Sequence, residues 1–118
     1  MSRRLQRLNV LLREEVSELI RRELRDPRLA EFVTLTRVST SPDLQTATVY
    51  VSVMGNEEEK ANTMRALTRA APFIRRQLIS RLSIRRTPDI EFELDESMEE
   101  AARILDLMKQ LPPVDRDA

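Results

Sequence analysis

Apolar residues recur at three and four spacings from Leu5 through Leu8, Leu12, Val16, Leu19 or Ile20, to Leu24, which is one face of an α-helix. Pro27 lacks an amide and restricts the residue before it, so this helix should end at Arg25 or Asp26. The period then shortens to two. FVTLTRVSTSPDLQTATVYVSVM is dense in β-branched residues and divides at Ser41-Pro42-Asp43, which predicts strands over about 34–39 and 45–54 joined as an antiparallel hairpin. In the second strand Ala47, Val49, Val51 and Val53 share the face that should be buried, opposite Thr48, Tyr50, Ser52 and Met54.

Gly55, the only glycine, and Asn56 mark the exit from the sheet. A helix over about 57–70 follows, with Ala61, Met64, Ala66 or Leu67, and Ala70 on its apolar face. Proline belongs in a first helical turn, so a break is expected at Ala70-Ala71-Pro72, with a new helix beginning at Pro72 and turning Phe73, Ile74, Leu78 and Leu82 inward. Beyond Thr87-Pro88, Ile90, Phe92 and Leu94 alternate with acidic residues and predict a third strand. Ser97 and Glu100 have capping-box spacing ahead of a last helix carrying Met98, Ala101, Ile104, Leu105, Met108 and Leu111. The order α-β-β-α-α-β-α describes an α+β fold with a small sheet, in a single domain over 1–111 with a flexible C-terminal tail over 112–118.

Charge alters this plain picture. The chain has 20 basic and 20 acidic residues, yet their distribution is uneven. Residues 1–28 hold 8 basic and 5 acidic side chains, 29–64 hold 2 and 5, 65–86 hold 7 and 0, and 87–118 hold 3 and 10. A segment with seven arginines and no carboxylate suits a polyanion, while an internal arginine–carboxylate lattice is the alternative. Arg3, Arg4 and Arg7 oppose the helix macrodipole in the first turns, which makes them candidate partner contacts or part of a mobile start.

Composition narrows the chemistry. With no cysteine and no histidine, disulfides, the usual zinc sites, and histidine- or thiolate-based catalysis are excluded. One glycine cannot make a phosphate-cradling loop. Glu91 and Glu93 share a strand face but lack the partners of an acid–base or metal site, and Phe32, Phe73, Phe92 and Tyr50 suit core packing better than base stacking. No apolar run reaches the roughly 20 residues of a membrane span, and the start does not read as a secretory signal, so the expected location is the cytoplasm. Recognition of phosphate backbone by arginine remains.

Several stretches together resemble the bacterial ribosome-binding factor A family. They are Arg7 and Glu15 in the first helix, Asp26-Pro27-Arg28 after it, Ser41 with Asp43-Leu44, Ala47 with Val49-Tyr50-Val51, Ile74-Arg75 with Leu78, and Leu82, Arg85, Pro88 and Phe92 followed by Asp95 and Ser97. The resemblance implies a KH-like fold of type II, α-β-β-α-kink-α-β, with an additional C-terminal helix. It implies a non-catalytic assembly factor that binds the small (30S) ribosomal subunit and 16S rRNA during late maturation and processing. The chain is expected to need no cofactor, to take no small-molecule substrate and to be monomeric when free. The family's A-x-G kink falls on Ala70, Ala71 and Pro72, so proline stands where the family has glycine.

The candidate RNA-binding residues are therefore Arg3, Arg4, Arg7, Arg28, Arg65, Arg69, Ala70, Ala71, Pro72, Arg75, Arg76, Arg81, Arg85 and Arg86. Arg75 has a rival role, bracing the fold against a carboxylate such as Asp43 or Asp95. The competing function is a protein–protein adaptor whose arginine-rich face meets an acidic protein.

Overall fold

Ser2 begins the first helix: its hydroxyl accepts the amide of Leu5 at 3.2 Å, and helix α1 runs over Arg3–Arg22. The computed structural model describes residues 2–22, 24, 33–84 and 86–112; the expected helix end at Arg25 or Asp26, Arg28, Phe32, Arg85 and the tail from 113 lie outside them. Strands β1 (Val33–Thr40) and β2 (Thr46–Val53) form the expected antiparallel hairpin. Helix α2 (Glu57–Arg81) leads to β3 (Asp89–Leu94), which pairs parallel with β2, and α3 (Ser97–Gln110) follows. The sheet order is β1-β2-β3, so the strand with the most regular alternation is central.

Ala47, Val49, Val51 and Val53 are all buried, as their period-two spacing requires. Leu12, Val16 and Leu19 of α1, Leu67, Ile74 and Leu78 of α2, and Ile90 of β3 join them in one core. In β1 the buried residues are Leu35, Val38 and Thr40, and the first two are three apart, which simple alternation would place on opposite faces. A register shift between Leu35 and Arg37 inserts one extra residue and restores the phase. The extra residue, Thr36, is thereby turned toward Asp95 and the carbonyl of Tyr50.

The expected break at Pro72 does not occur: α2 is one 25-residue helix with the proline inside it. Proline removes the ladder bond to the Thr68 carbonyl and costs about 3 kcal/mol in a helix interior. Ala66 and Leu67 before it, and Ile74 and Leu78 after it, are buried in the same core. Full burial of each large aliphatic side chain contributes about 1.5–3 kcal/mol, so packing on both sides outweighs the local penalty.

The capping box also lies elsewhere. Glu96 is the N-cap of α3 and makes no side-chain cap bond, while Ser97 lies inside the helix with its amide held by Asp95 Oδ1 at 2.9 Å. The reciprocal box is at the start of α2, where Asn56 Oδ1 accepts the Glu59 amide at 2.8 Å and Glu59 Oε1 accepts the Asn56 amide at 3.1 Å. Gly55, at φ +152°, makes the turn that permits it.

Candidate nucleic-acid interface

A continuous α2 sorts its arginines by angle. Arg65, Arg69, Pro72 and Arg76 are separated by four, three and four residues, so they form one row along the helix, about 16 Å long. All four are exposed, and Arg65 is steadied by a 3.2 Å bond from its guanidinium to Asn62 Oδ1. Ala70 and Ala71 lie off this row, half-buried against the core.

Two other arginines of the helix turn toward the body of the protein. Arg75 Nη2 donates to the Thr87 carbonyl at 3.1 Å, and its Nε lies 3.2 Å from Asp89 Oδ1 without the alignment of a hydrogen bond. It therefore braces the 82–88 connection, using Asp89 where Asp43 or Asp95 was expected. Arg81 approaches Glu15 of α1 at 3.9 Å, a distance at which a partly exposed pair contributes little.

Of the remaining candidates, Arg3, Arg4, Arg7 and Arg86 are described, and they gather at one end of the fold. Thr40 donates its amide to Asn9 Oδ1 at 2.9 Å, and Asp89 donates to the Gln45 carbonyl at 2.8 Å. These bonds bring the N-terminal half of α1, the 41–45 turn and the start of β3 together, near the C-terminal end of α2. Arg3, Arg4 and Arg7 are exposed there on α1, and Arg3, Gln6, Arg7 and Val10 line an open depression of about 400 Å³. Arg86 is exposed beside the turn. Asp43 in that turn is held below the usual carboxylate range, first by the hydrogen bond from Ser41 Oγ at 2.6 Å, then by the Gln45 amide, with a smaller effect from the charge of Arg86.

The far end is acidic. Glu57, Glu58 and Glu59 open α2, and Glu96, Glu99 and Glu100 surround the start of α3. Sequence reasoning passed over Arg37, whose guanidinium carbon lies 4.0 Å from the centroid of the Tyr50 ring. The three-residue spacing of Leu35 and Val38 was the signal for a bulge that turns Arg37 outward. Tyr50 is opposite Glu93 in register, so Arg37 sits among carboxylates, apart from the α2 row. Among the described residues no group of three or more metal-binding side chains converges, and no helix is long and apolar enough to cross a membrane.

The family model described as Ribosome-binding factor A matches residues 4–108. A Ribosome-binding factor A from Dictyoglomus thermophilum is 49% identical over 111 residues, covering 94% of this chain and 92% of its own length. The crystal structure of ribosome-binding factor A from Thermus thermophilus is 33% identical, with a TM-score of 0.68 over 76% of this chain and 93% of that one. A Thermus thermophilus homology model fitted into a cryo-electron microscopy map of a 30S–RbfA complex is likewise 33% identical, with a TM-score of 0.63 and the same coverage of both chains.

Proposed function

This chain belongs to the ribosome-binding factor A family, and on that premise we propose that it is a non-catalytic assembly factor that binds the small ribosomal subunit through the phosphate backbone of 16S rRNA during late maturation. The observation that carries the reading is the exposed row of Arg65, Arg69 and Arg76 on a helix that stays continuous through Pro72. Guanidinium groups match phosphate geometry and keep their charge at any physiological pH. Arg3, Arg4, Arg7 and Arg86 extend the contact at the basic end, while the acidic end is repelled by the same polyanion. The relative fitted into a 30S complex supports the choice of partner.

In this reading the unit over 1–111 is a single KH-like domain of type II acting in the cytoplasm. Its support is the order α-β-β-α-β with β3 parallel to the central strand. Proline in place of the family's glycine keeps the helix surface at residue 72 stiff and offers no amide donor, so side chains carry the recognition. The test is binding to purified 30S subunits over a salt series. Log affinity should fall with log salt by about 0.7–0.9 per phosphate contact, and reversing Arg65, Arg69 and Arg76 to glutamate should flatten the slope. Binding that is indifferent to salt and to these reversals would overturn the phosphate-backbone reading.

A further inference from the structure

Helices α2 and α3 bring their N-terminal turns to the same end of the molecule, and both starts are acidic. Carboxylates there suit each helix dipole, but they also place like charges close together. Lys60 resolves this convergence. Its ammonium lies 2.9 and 2.7 Å from the two carboxylate oxygens of Glu99, and it also feels the charges of Glu57 and Glu96. Lys60 is only 6% exposed, an unusual place for a lysine without a firm partner.

The rest of α3 is not docked. Every residue from 96 to 112 is exposed, including Leu105 and Met108 at 59% and 61%. The helix meets the body at its first turn, through the Asp95–Ser97 bond at the junction and Glu99 on Lys60. Two tethers so close to one end fix a direction only while both hold, because the distal turns have no packing to resist rotation.

We propose that the Lys60–Glu99 pair is a latch that sets the direction of α3, and that α3 swings as an arm about residues 95–97 when the pair opens. Opening leaves the intrahelical hydrogen bonds of α3 intact and leaves the sheet core untouched, so the motion is a hinge and not unfolding. The device stands apart from the RNA-binding reading, since neither residue is on the arginine row.

The native chain has no cysteine, so Thr68→Cys and Gln110→Cys can carry a pair of spin labels on exposed positions of α2 and α3. The segment from Ser97 to Gln110 is about 20 Å long, and a swing of about 30° moves its far end by about 10 Å. The doubly labelled protein should give one narrow distance distribution, and adding Glu99→Gln or Lys60→Met should shift or broaden it by about that amount. Glu99→Gln alone decides the matter if Lys60→Met fails to fold, because the Glu99 side chain is 46% exposed. An unchanged narrow distribution in the folded variants, or a distribution already as broad in the parent protein, overturns the latch.

Discussion

Thr36 Oγ1 donates to Asp95 Oδ2 at 2.7 Å, tying the bulge of β1 to the end of β3 across the central strand. The Ser97 hydrogen bonds contribute most to lowering the Asp95 carboxyl, the Thr36 hydroxyl adds to them, and the group is held at about 2 against an ordinary 3.8. A depressed carboxyl stabilises the fold above its unfolded value and loses that contribution as the pH falls through its folded value. Urea denaturation of the parent protein and Asp95→Asn should therefore differ by a constant amount above about pH 5, and the gap should close as the pH falls from 3.8 toward about 2. A gap that does not vary with pH would mean that Asp95 acts only by shape.

Pro72→Ala should raise stability by about 1–3 kcal/mol, because it restores one ladder bond in a helix that is already continuous. Thermal and urea melts measure this directly. A loss of stability instead would show that the packing of Ile74 and Leu78 depends on a geometry that only proline imposes.

At the start of α2, Asn56→Ala should cost about 1 kcal/mol by removing the acceptor for the Glu59 amide. Gly55→Ala should also destabilise, since a Cβ there would lie 3.0 Å from the Glu59 Cβ on a backbone at φ +152°. Both substitutions disturb the same reciprocal pair. Their combined effect in denaturant melts should consequently fall short of the sum of the single effects.

The two classes of arginine should separate under substitution. Arg76→Glu should weaken 30S binding and flatten its salt dependence by about 0.7–0.9, with little change in melting temperature. Arg75→Met should cost about 1 kcal/mol of stability through the lost bond to the Thr87 carbonyl, with a smaller effect on the salt slope. Salt-series binding and melting, run on the same preparations, distinguish the two outcomes.

The period-two run from Ala47 to Val53 was legible without coordinates, because a strand with one buried face has only one way to alternate. The hairpin turn at Ser41-Pro42-Asp43 and the acidic strand Asp89–Leu94 were legible for the same local reasons, and so was the concentration of arginine over 65–86. Pro72 misled because a local penalty of about 3 kcal/mol was weighed without the core contacts on either side of it. Capping-box spacing at Ser97 misled because Ser97 lies inside the helix, its amide held by Asp95, which Thr36 engages from 59 positions away.

Charge and periodicity along the chain determined the elements, the buried face of the sheet and the supply of arginines, since each depends on residues within a few positions of one another. Tertiary structure alone decided that α2 continues through Pro72 and thereby puts Arg65, Arg69 and Arg76 in one row while Arg75 turns to Thr87. It also decided that Lys60 meets Glu99, 39 positions away. Such choices compare a local cost with burial or pairing between distant segments, and that comparison exists only once the chain has folded.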